Sequence, residues 1–272
     1  MKVSIVKYNA GNIFSVINAM KRMGIDPLWT DDPEELMSSD RVIFPGQGEA
    51  HSAMAYLREL NLDKVIAGLR QPVLGICVGQ QLLCSHSEEG DTDCIGVFPI
   101  QVKRFQPNVH EEKVPCMGWN SLDLRLRDTA SVARTEDGVS PLFKGLGQED
   151  YVYFVHSYYC ELCDNTIATA DYILPYSAAL QKDNFYATQF HPEKSGRVGR
   201  QINARELLSV IPSKHDGKEK KIGDNNRYAI DKGAGVILKM PLDSARKIRA
   251  IRVKTLSNDI VVGLMAVTLE KL

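Results

Sequence analysis

Over its first 84 residues the chain alternates short apolar runs with stretches of helical period, a rhythm few folds accept. Residues 2–7 read as a strand. Asn12 is a candidate N-cap for a helix whose apolar stripe is Ile13, Val16, Ile17 and Met20, with Gly24 placed to end it. A short strand over Leu28–Thr30 and a helical turn over 33–38 precede a strand at Arg41–Phe44, which runs into Pro45-Gly46-Gln47-Gly48. A helix over about 49–69, a strand at Pro72–Ile76 and a helix at Gly79–Cys84 complete the series. Strands separated by helices of this length pair in parallel through right-handed crossovers. The expected fold class is therefore α/β, a mixed but mainly parallel sheet flanked by helices.

From about 95 to 192 the texture changes. Apolar runs at Gly96–Val102, Tyr151–Tyr159, Ser177–Leu180 and Phe185–Phe190 lie between turn-rich stretches, which predicts an antiparallel extension of the sheet. A last helix is expected near Gly199–Val210. The composition then shifts. Residues 212–226 read as a flexible, lysine-rich linker, and 227–272 as a small β-rich appendage of unassigned role with strands near Gly235–Met240, Ile248–Lys254 and Ile260–Leu269. The segment 212–272 holds 13 Lys and Arg against 7 Asp and Glu, while the whole chain of 272 residues balances at −1. Residues 1–211 are left as the main domain.

A near-neutral chain has no electrostatic reason to bind nucleic acid or an anionic membrane. No stretch reaches the ~18 apolar residues of a membrane span, and Lys7 interrupts the N-terminal apolar run where a secretory signal stays unbroken. The sequence reads as a soluble, cytoplasmic protein. Six cysteines in a chain this long do not make a disulfide scaffold, and Cys160-Glu-Leu-Cys163 lacks the second pair of ligands that a zinc site needs, so no metal and no cofactor is expected.

The chemistry concentrates elsewhere. Gly75-Ile76-Cys77-Val78-Gly79 follows an apolar strand and opens a helix, the pattern of a nucleophile elbow with cysteine in place of serine. Its glycines let the chain turn sharply and let neighbouring backbones approach, while the helix N-terminus favours a thiolate. A nucleophilic cysteine needs a base, and the base needs an orienter. His191 in Gln189-Phe190-His191-Pro192-Glu193 offers both, since residues two apart on an extended chain face the same side and bring Glu193 toward the imidazole. His156, in the apolar run Tyr153–Tyr158, is the rival base, with a hydrogen-bonded core histidine as its other reading. The turn at Gly46 and Gln47 sits where a backbone N–H could meet an oxyanion, with Val78 N–H as second donor.

Together these segments resemble the class I glutamine amidotransferases. Tyr8-Asn9-Ala10-Gly11-Asn12, Met117-Gly118-Trp119-Asn120, Tyr153–Tyr159 and His191-Pro192-Glu193-Lys194-Ser195-Gly196 arrive in family order over residues 1 to about 210, and they resemble the family's histidine-biosynthesis branch. The resemblance implies that residues 1–211 are a glutamine amidotransferase domain, in which Cys77, His191 and Glu193 hydrolyse L-glutamine through a thioester. It also implies that Gly48, Gln81, Ser157 and Tyr158 hold the substrate. In that branch the ammonia passes to a (β/α)₈-barrel synthase (cyclase) partner, in a heterodimer that makes imidazole glycerol phosphate. Asn12, Met117, Trp119, Asn120, Tyr153 and Lys194 are the implied interface and ammonia path. Three features depart from the family: Gln47 replaces a small apolar residue, Cys116 stands where a histidine is common at the interface, and nothing in the family accounts for 212–272. A relative that serves pyridoxal phosphate synthesis would lack the Met-Gly-Trp-Asn and Tyr-Phe-Val-His-Ser stretches. A catalytically silent scaffold would have no need of an intact Cys77, His191 and Glu193.

Overall fold

The structure, a computed structural model, describes residues 1–8, 13–46, 48–124, 140–144, 146–147, 150–205, 219–221, 227–230 and 236–238. The chain begins with β1 (Val3–Val6), α1 (Phe14–Arg22), β2 (Leu28–Thr30), α2 (Pro33–Met37) and β3 (Arg41–Phe44). It continues through α3 (Ala50–Glu59), α4 (Leu62–Ala67), β4 (Val73–Ile76) and α5 (Val78–Leu82). Short strands follow: β5 (Cys84–Ser87), β6 (Thr92–Asp93), β7 (Phe98–Arg104), β8 (Cys116–Ser121), β9 (Tyr151–His156) and β10 (Tyr158–Cys160). The body closes with β11 (Thr166–Tyr172), β12 (Leu174–Lys182), β13 (Phe185–Thr188) and α6 (Gly196–Arg205).

Seven strands form the main sheet in the order β11-β12-β13-β4-β3-β1-β2. The five from β13 to β2 are mutually parallel, and β12 and β11 add antiparallel pairs at one edge. All four residues of β1 and of β4 are buried, which explains why these strands read as apolar-rich runs rather than alternating ones. Each Val, Leu or Ile side chain among them is worth ~1.5–3 kcal/mol taken from water, so the centre of the sheet is the firmest part of the body. A second sheet, β10-β7-β5-β6, and the two-stranded ribbon β8-β9 complete it.

Local signals account for several element ends. Asp32 caps α2 by accepting the Glu34 N–H at 2.8 Å, with Pro33 as the first helical residue. Gly24, at φ +79°, ends α1, and the Ile25 N–H returns to the Met20 carbonyl.

Other expectations need correction. The residue flanking α1 is Ile13, in helical conformation and without a side-chain cap, and Asn12 lies outside the described residues. The helix expected over 49–69 is two helices, because Asn61 adopts a left-handed conformation at φ 54° and breaks the run. The helix expected over Gly79–Cys84 ends at Leu82, and Cys84 already pairs with Phe98 in the second sheet. The run Tyr151–Tyr159 is not one strand: it splits at Ser157 into β9 and β10, which belong to different sheets. The last helix begins at Gly196, three residues before Gly199, and residues 206–210 lie outside the described residues.

Within the stretch read as a linker, Glu219–Lys221 is a strand, β14, paired with β15 (Arg227–Ile230), which pairs in turn with β16 (Val236–Leu238). Both pairings are antiparallel. The strands expected at 248–254 and 260–269 lie outside the described residues. Among the described residues no helix is long and apolar enough to cross a membrane.

Candidate active site

Three adjacent parallel strands, β3, β4 and β13, end at one edge of the main sheet, and the carboxyl edge of such a sheet is where α/β sites form. Each delivers a segment singled out above. Beyond β4, Cys77 turns at φ 52°, ψ −109°, a conformation that costs an L-residue energy and points to a functional constraint. Its N–H donates to the Thr188 carbonyl at 2.7 Å, tying the elbow to the end of β13.

The glycines around the elbow are steric requirements. A Cβ on Gly46 would lie 2.1 Å from the Ile76 carbonyl and 2.3 Å from the Val78 nitrogen. A Cβ on Gly79 would lie 2.1 Å from the Phe44 carbonyl. The turn after β3 and the turn after β4 are therefore in direct backbone contact, as the glycine spacings predict. Val78 is the first residue of α5, so no earlier helical carbonyl faces its N–H, which sits beside Gly46. Gln47 itself lies outside the described residues. Tyr8, buried after β1, donates its hydroxyl to the Pro45 carbonyl and fixes the entry to this turn.

Beyond β13 the chain brings His191 to Cys77 and Glu193. His191 Nδ1 lies 2.8 Å from Glu193 Oε1, and both side chains are almost wholly buried. The expected extended spacing is not what joins them: Pro192–Lys194 form a single 3₁₀ turn, and that turn folds the carboxylate back onto the ring. Burial pulls the imidazole pKa down, but the charge and hydrogen bond of Cys77 and then those of Glu193 override it, raising His191 to about 10. The second oxygen of Glu193 is buried without a hydrogen-bond partner. Ser195 locks the turn, its hydroxyl donating to the His191 carbonyl at 2.7 Å and accepting the Tyr153 N–H at 3.0 Å.

His156 sits differently. Its Nδ1 lies 2.7 Å from the Tyr158 carbonyl, its Nε2 3.3 Å from the Tyr176 hydroxyl, and Phe105 and Phe154 flank the ring. Burial, partly opposed by the Tyr158 carbonyl and aided by the charge of His191, lowers it to about 4. It is a satisfied core histidine.

The remaining sequence-predicted residues divide. Gly48 is exposed at φ +145° beside the turn. Gln81 donates its amide nitrogen to the Tyr158 carbonyl and to Gln189 Oε1, both at 3.0 Å, and the Ser157 carbonyl accepts the Phe105 N–H. The Tyr158 carbonyl thus already serves two internal donors. Met117, Trp119 and Tyr153 share the outer face of the β8-β9 ribbon, Trp119 pairing across to Tyr153 with ring centroids 5.8 Å apart. Met117 is 65% exposed and Trp119 45%. Asn120 instead donates to the Asp171 carbonyl, and Lys194 is half-buried in the 3₁₀ turn after His191. Cys116 is on the inner face of the ribbon, buried opposite His156, so it is not part of the exposed face expected of it.

Two residues escaped the sequence reading. Gln189 lies on the same face of its segment as His191, two residues earlier, and its Nε2 is 3.6 Å from Cys77 Sγ; that spacing was the available signal. Glu89, half-buried, accepts the Ala50 N–H at 2.8 Å and acts electrostatically on Tyr158; no local pattern marks it. Among the described residues no group of three or more His, Cys, Asp or Glu is placed to hold a metal ion.

A strained cysteine at a strand-to-helix turn, a buried histidine–carboxylate pair and a glycine-lined turn against the elbow are the parts of a thiol acyl-transfer site. The chain belongs to the class I glutamine amidotransferases, whose family model matches residues 7–209. Within that class it falls in one branch. It is 55% identical over 202 residues to the imidazole glycerol phosphate synthase subunit HisH of Bacteroides thetaiotaomicron, covering 74% of this chain and 96% of the relative. It is 39% identical over 203 residues to the protein of that name from Yersinia pseudotuberculosis, with the same coverage. A crystal structure of a glutamine amidotransferase shares the fold, with a TM-score of 0.55 at 20% identity over 77% of this chain and 100% of that one.

Proposed function

We propose that this chain is the glutaminase half of a two-protein synthase: it hydrolyses L-glutamine at Cys77 and hands the ammonia to a (β/α)₈-barrel partner that makes imidazole glycerol phosphate in histidine biosynthesis. The observation that carries the reading is the buried Cys77–His191–Glu193 arrangement in a chain 55% identical to a synthase component of that name.

The geometry supports a two-stage reaction. With His191 raised to about 10, the imidazole is protonated at neutral pH and stands beside the Cys77 sulfur as the proton donor. The thiolate attacks the side-chain amide carbon, forming the C–S bond and placing negative charge on the former carbonyl oxygen. Val78 N–H, beside the glycine turn at Gly46, is the proposed donor that receives it. Collapse expels the amide nitrogen, which takes its proton from His191 and leaves as ammonia. Once Cys77 is a thioester its charge is gone, and that charge is the first of the influences holding His191 up against burial. The imidazole therefore becomes a base when a base is needed. It takes a proton from water, the hydroxide attacks the thioester carbonyl, and glutamate leaves as the thiolate returns.

Glutamine is a zwitterion, so its head group needs an anion for the ammonium. Glu89, which accepts the Ala50 N–H and acts electrostatically on Tyr158, is the carboxylate proposed to supply it. The outward Met117–Trp119–Tyr153 face, together with Lys194, is the proposed docking surface for the barrel.

Replacing Cys77 by alanine tests the reading. With a barrel synthase present, glutamine-dependent product formation disappears and ammonium-dependent formation persists. A variant that still hydrolyses glutamine at a comparable rate overturns the assignment. The isolated parent chain is expected to be a poor glutaminase that gains activity with its partner, since ammonia released alone is wasted.

A further inference from the structure

The proposed nucleophile has a neighbour that the triad does not require. Gln189 is fully buried, and its side chain links two fixed points. At one end Nε2 lies 3.6 Å from Cys77 Sγ; at the other Oε1 accepts from Gln81 Nε2 at 3.0 Å. Gln81 Nε2 also donates to the Tyr158 carbonyl at 3.0 Å. A peptide carbonyl can only accept, so Gln81 must turn its nitrogen end toward Tyr158. That nitrogen also faces Gln189, which must answer with its oxygen. The end of Gln189 that meets the sulfur is then the N–H end. One backbone carbonyl thus fixes the polarity of two amides whose ends are nearly alike in shape.

We infer that Gln189 is a hydrogen-bond donor to the Cys77 thiolate, held in that polarity by Gln81, and that the pair sets what fraction of Cys77 is reactive at a given pH. This rests on Cys77 being the nucleophile and adds the device that tunes it. A donor favours the charged sulfur, whereas an acceptor in the same place favours the neutral thiol. The Val155 carbonyl, 3.8 Å from Sγ, pulls the other way, because only the thiol can donate to it. Gln189 offsets that pull from the opposite element. The titratable groups acting on the sulfur are His191, whose positive charge favours the thiolate, and the phenols of Tyr8 and Tyr176. Burial holds both phenols far above their ordinary value, so they stay neutral, and their hydroxyls are engaged by the Pro45 carbonyl and by His156, which leaves the donor role to His191 and Gln189.

The test is the pH dependence of Cys77 alkylation by iodoacetamide in the full chain, read by mass spectrometry of the Cys77 peptide. Gln189→Met keeps length and removes the donor. Its alkylation midpoint is expected to rise by about one pH unit, a tenfold loss of thiolate below the midpoint. Gln189→Glu, which places an acceptor there, is expected to rise further. Gln81→Met never touches the sulfur but frees Gln189 to turn over, and a smaller rise is expected; a merely structural role would leave that midpoint alone. An unchanged midpoint in folded Gln189→Met refutes the inference. Should that variant fail to fold, Gln189→Asn, which draws the amide back by one methylene, decides in the same way. Alkylation needs no glutamine, so the two readings separate. A parent without glutaminase activity whose variants still shift overturns the function and leaves this inference standing; a parent that hydrolyses glutamine with unshifted variants does the reverse.

Discussion

Adding one methyl group at Gly46 would test how closely the two turns are matched. In Gly46→Ala the new Cβ falls 2.1 Å from the Ile76 carbonyl and 2.3 Å from the nitrogens of Val78 and Gly79. All three atoms are backbone, so no side chain can swing aside. The turn after β3 must retreat from the elbow by roughly 1 Å, a displacement of the size that costs about 10²-fold when it moves reacting groups apart. It cannot retreat freely, because β3 and β4 are paired up to Phe44 and Gly75. Overpacking of this kind costs ~1–3 kcal/mol, and a body of this size loses about 2–4 °C of Tm per kcal/mol. The expected result is a Tm lower by several degrees and a kcat for partner-coupled glutamine hydrolysis lower by about two orders of magnitude. Gly24→Ala is the control. Its Cβ would meet nothing within 4 Å, and only the left-handed backbone at φ +79° resists it. It should cost ~1–2 kcal/mol and leave kcat unchanged. If Gly46→Ala keeps kcat within a few-fold of the parent at an unchanged Tm, the contact between the two turns does not matter to the site.

His191→Asn should cost kcat far more than Glu193→Gln, with general acid–base losses of ~10²–10⁴-fold setting the scale; equal, small losses measured by steady-state kinetics would end the case for His191. His156 is depressed to about 4 from 6.5, so the neutral ring favours the fold. That contribution, at most roughly 3 kcal/mol, is full above pH 6.5 and is lost as pH falls toward 4. Denaturant unfolding of parent and His156→Gln should therefore converge in acid while the pH profile of hydrolysis is unmoved, and a shifted activity profile would return His156 to the chemistry. A chain cut after Ile211 keeps the whole family match over 7–209 and should retain partner-coupled activity within a few-fold; strong loss would make 212–272 part of the enzyme.

Where the physics is local and repeated, the sequence was readable. The parallel strands β1, β3 and β4 are buried on both faces and so announce themselves as apolar runs, and the Gly-x-Cys-x-Gly spacing has little other use at the end of one. The break between α3 and α4 was hidden because Leu60 and Asn61 interrupt no apolar period; only the left-handed φ of Asn61 reveals it. β8 and β11 were missed for a different reason. Cys116–Ser121 is half exposed and Thr166–Tyr172 is built on alanine and threonine, so neither carries a hydrophobic signature and both form through pairing with distant partners. In the candidate site, the motifs around Cys77 and around His191 and Glu193 were legible from residue types, and the structure brings the three side chains together. The amide relay through Gln81 and Gln189 was invisible, because 108 residues separate the two and the Tyr158 carbonyl that orients them is on a third segment.

Strand β9 behaves as a plank resting on two fulcrums. Its outward side carries Tyr151, Tyr153 and Val155, and Tyr153 is braced against Trp119 on β8. Its own main chain reaches inward, the Tyr153 carbonyl taking the His191 N–H at 2.9 Å and the Val155 carbonyl lying 3.8 Å from the Cys77 sulfur. Among the described residues the two strands of the ribbon pair only with each other, while Val152, Phe154 and His156 seat the inward side of β9 in the core. Weight placed on the aromatic side is therefore borne at His191 and at the Cys77 sulfur together. Because both attachments are on one strand, any tilt of the plank moves them in step.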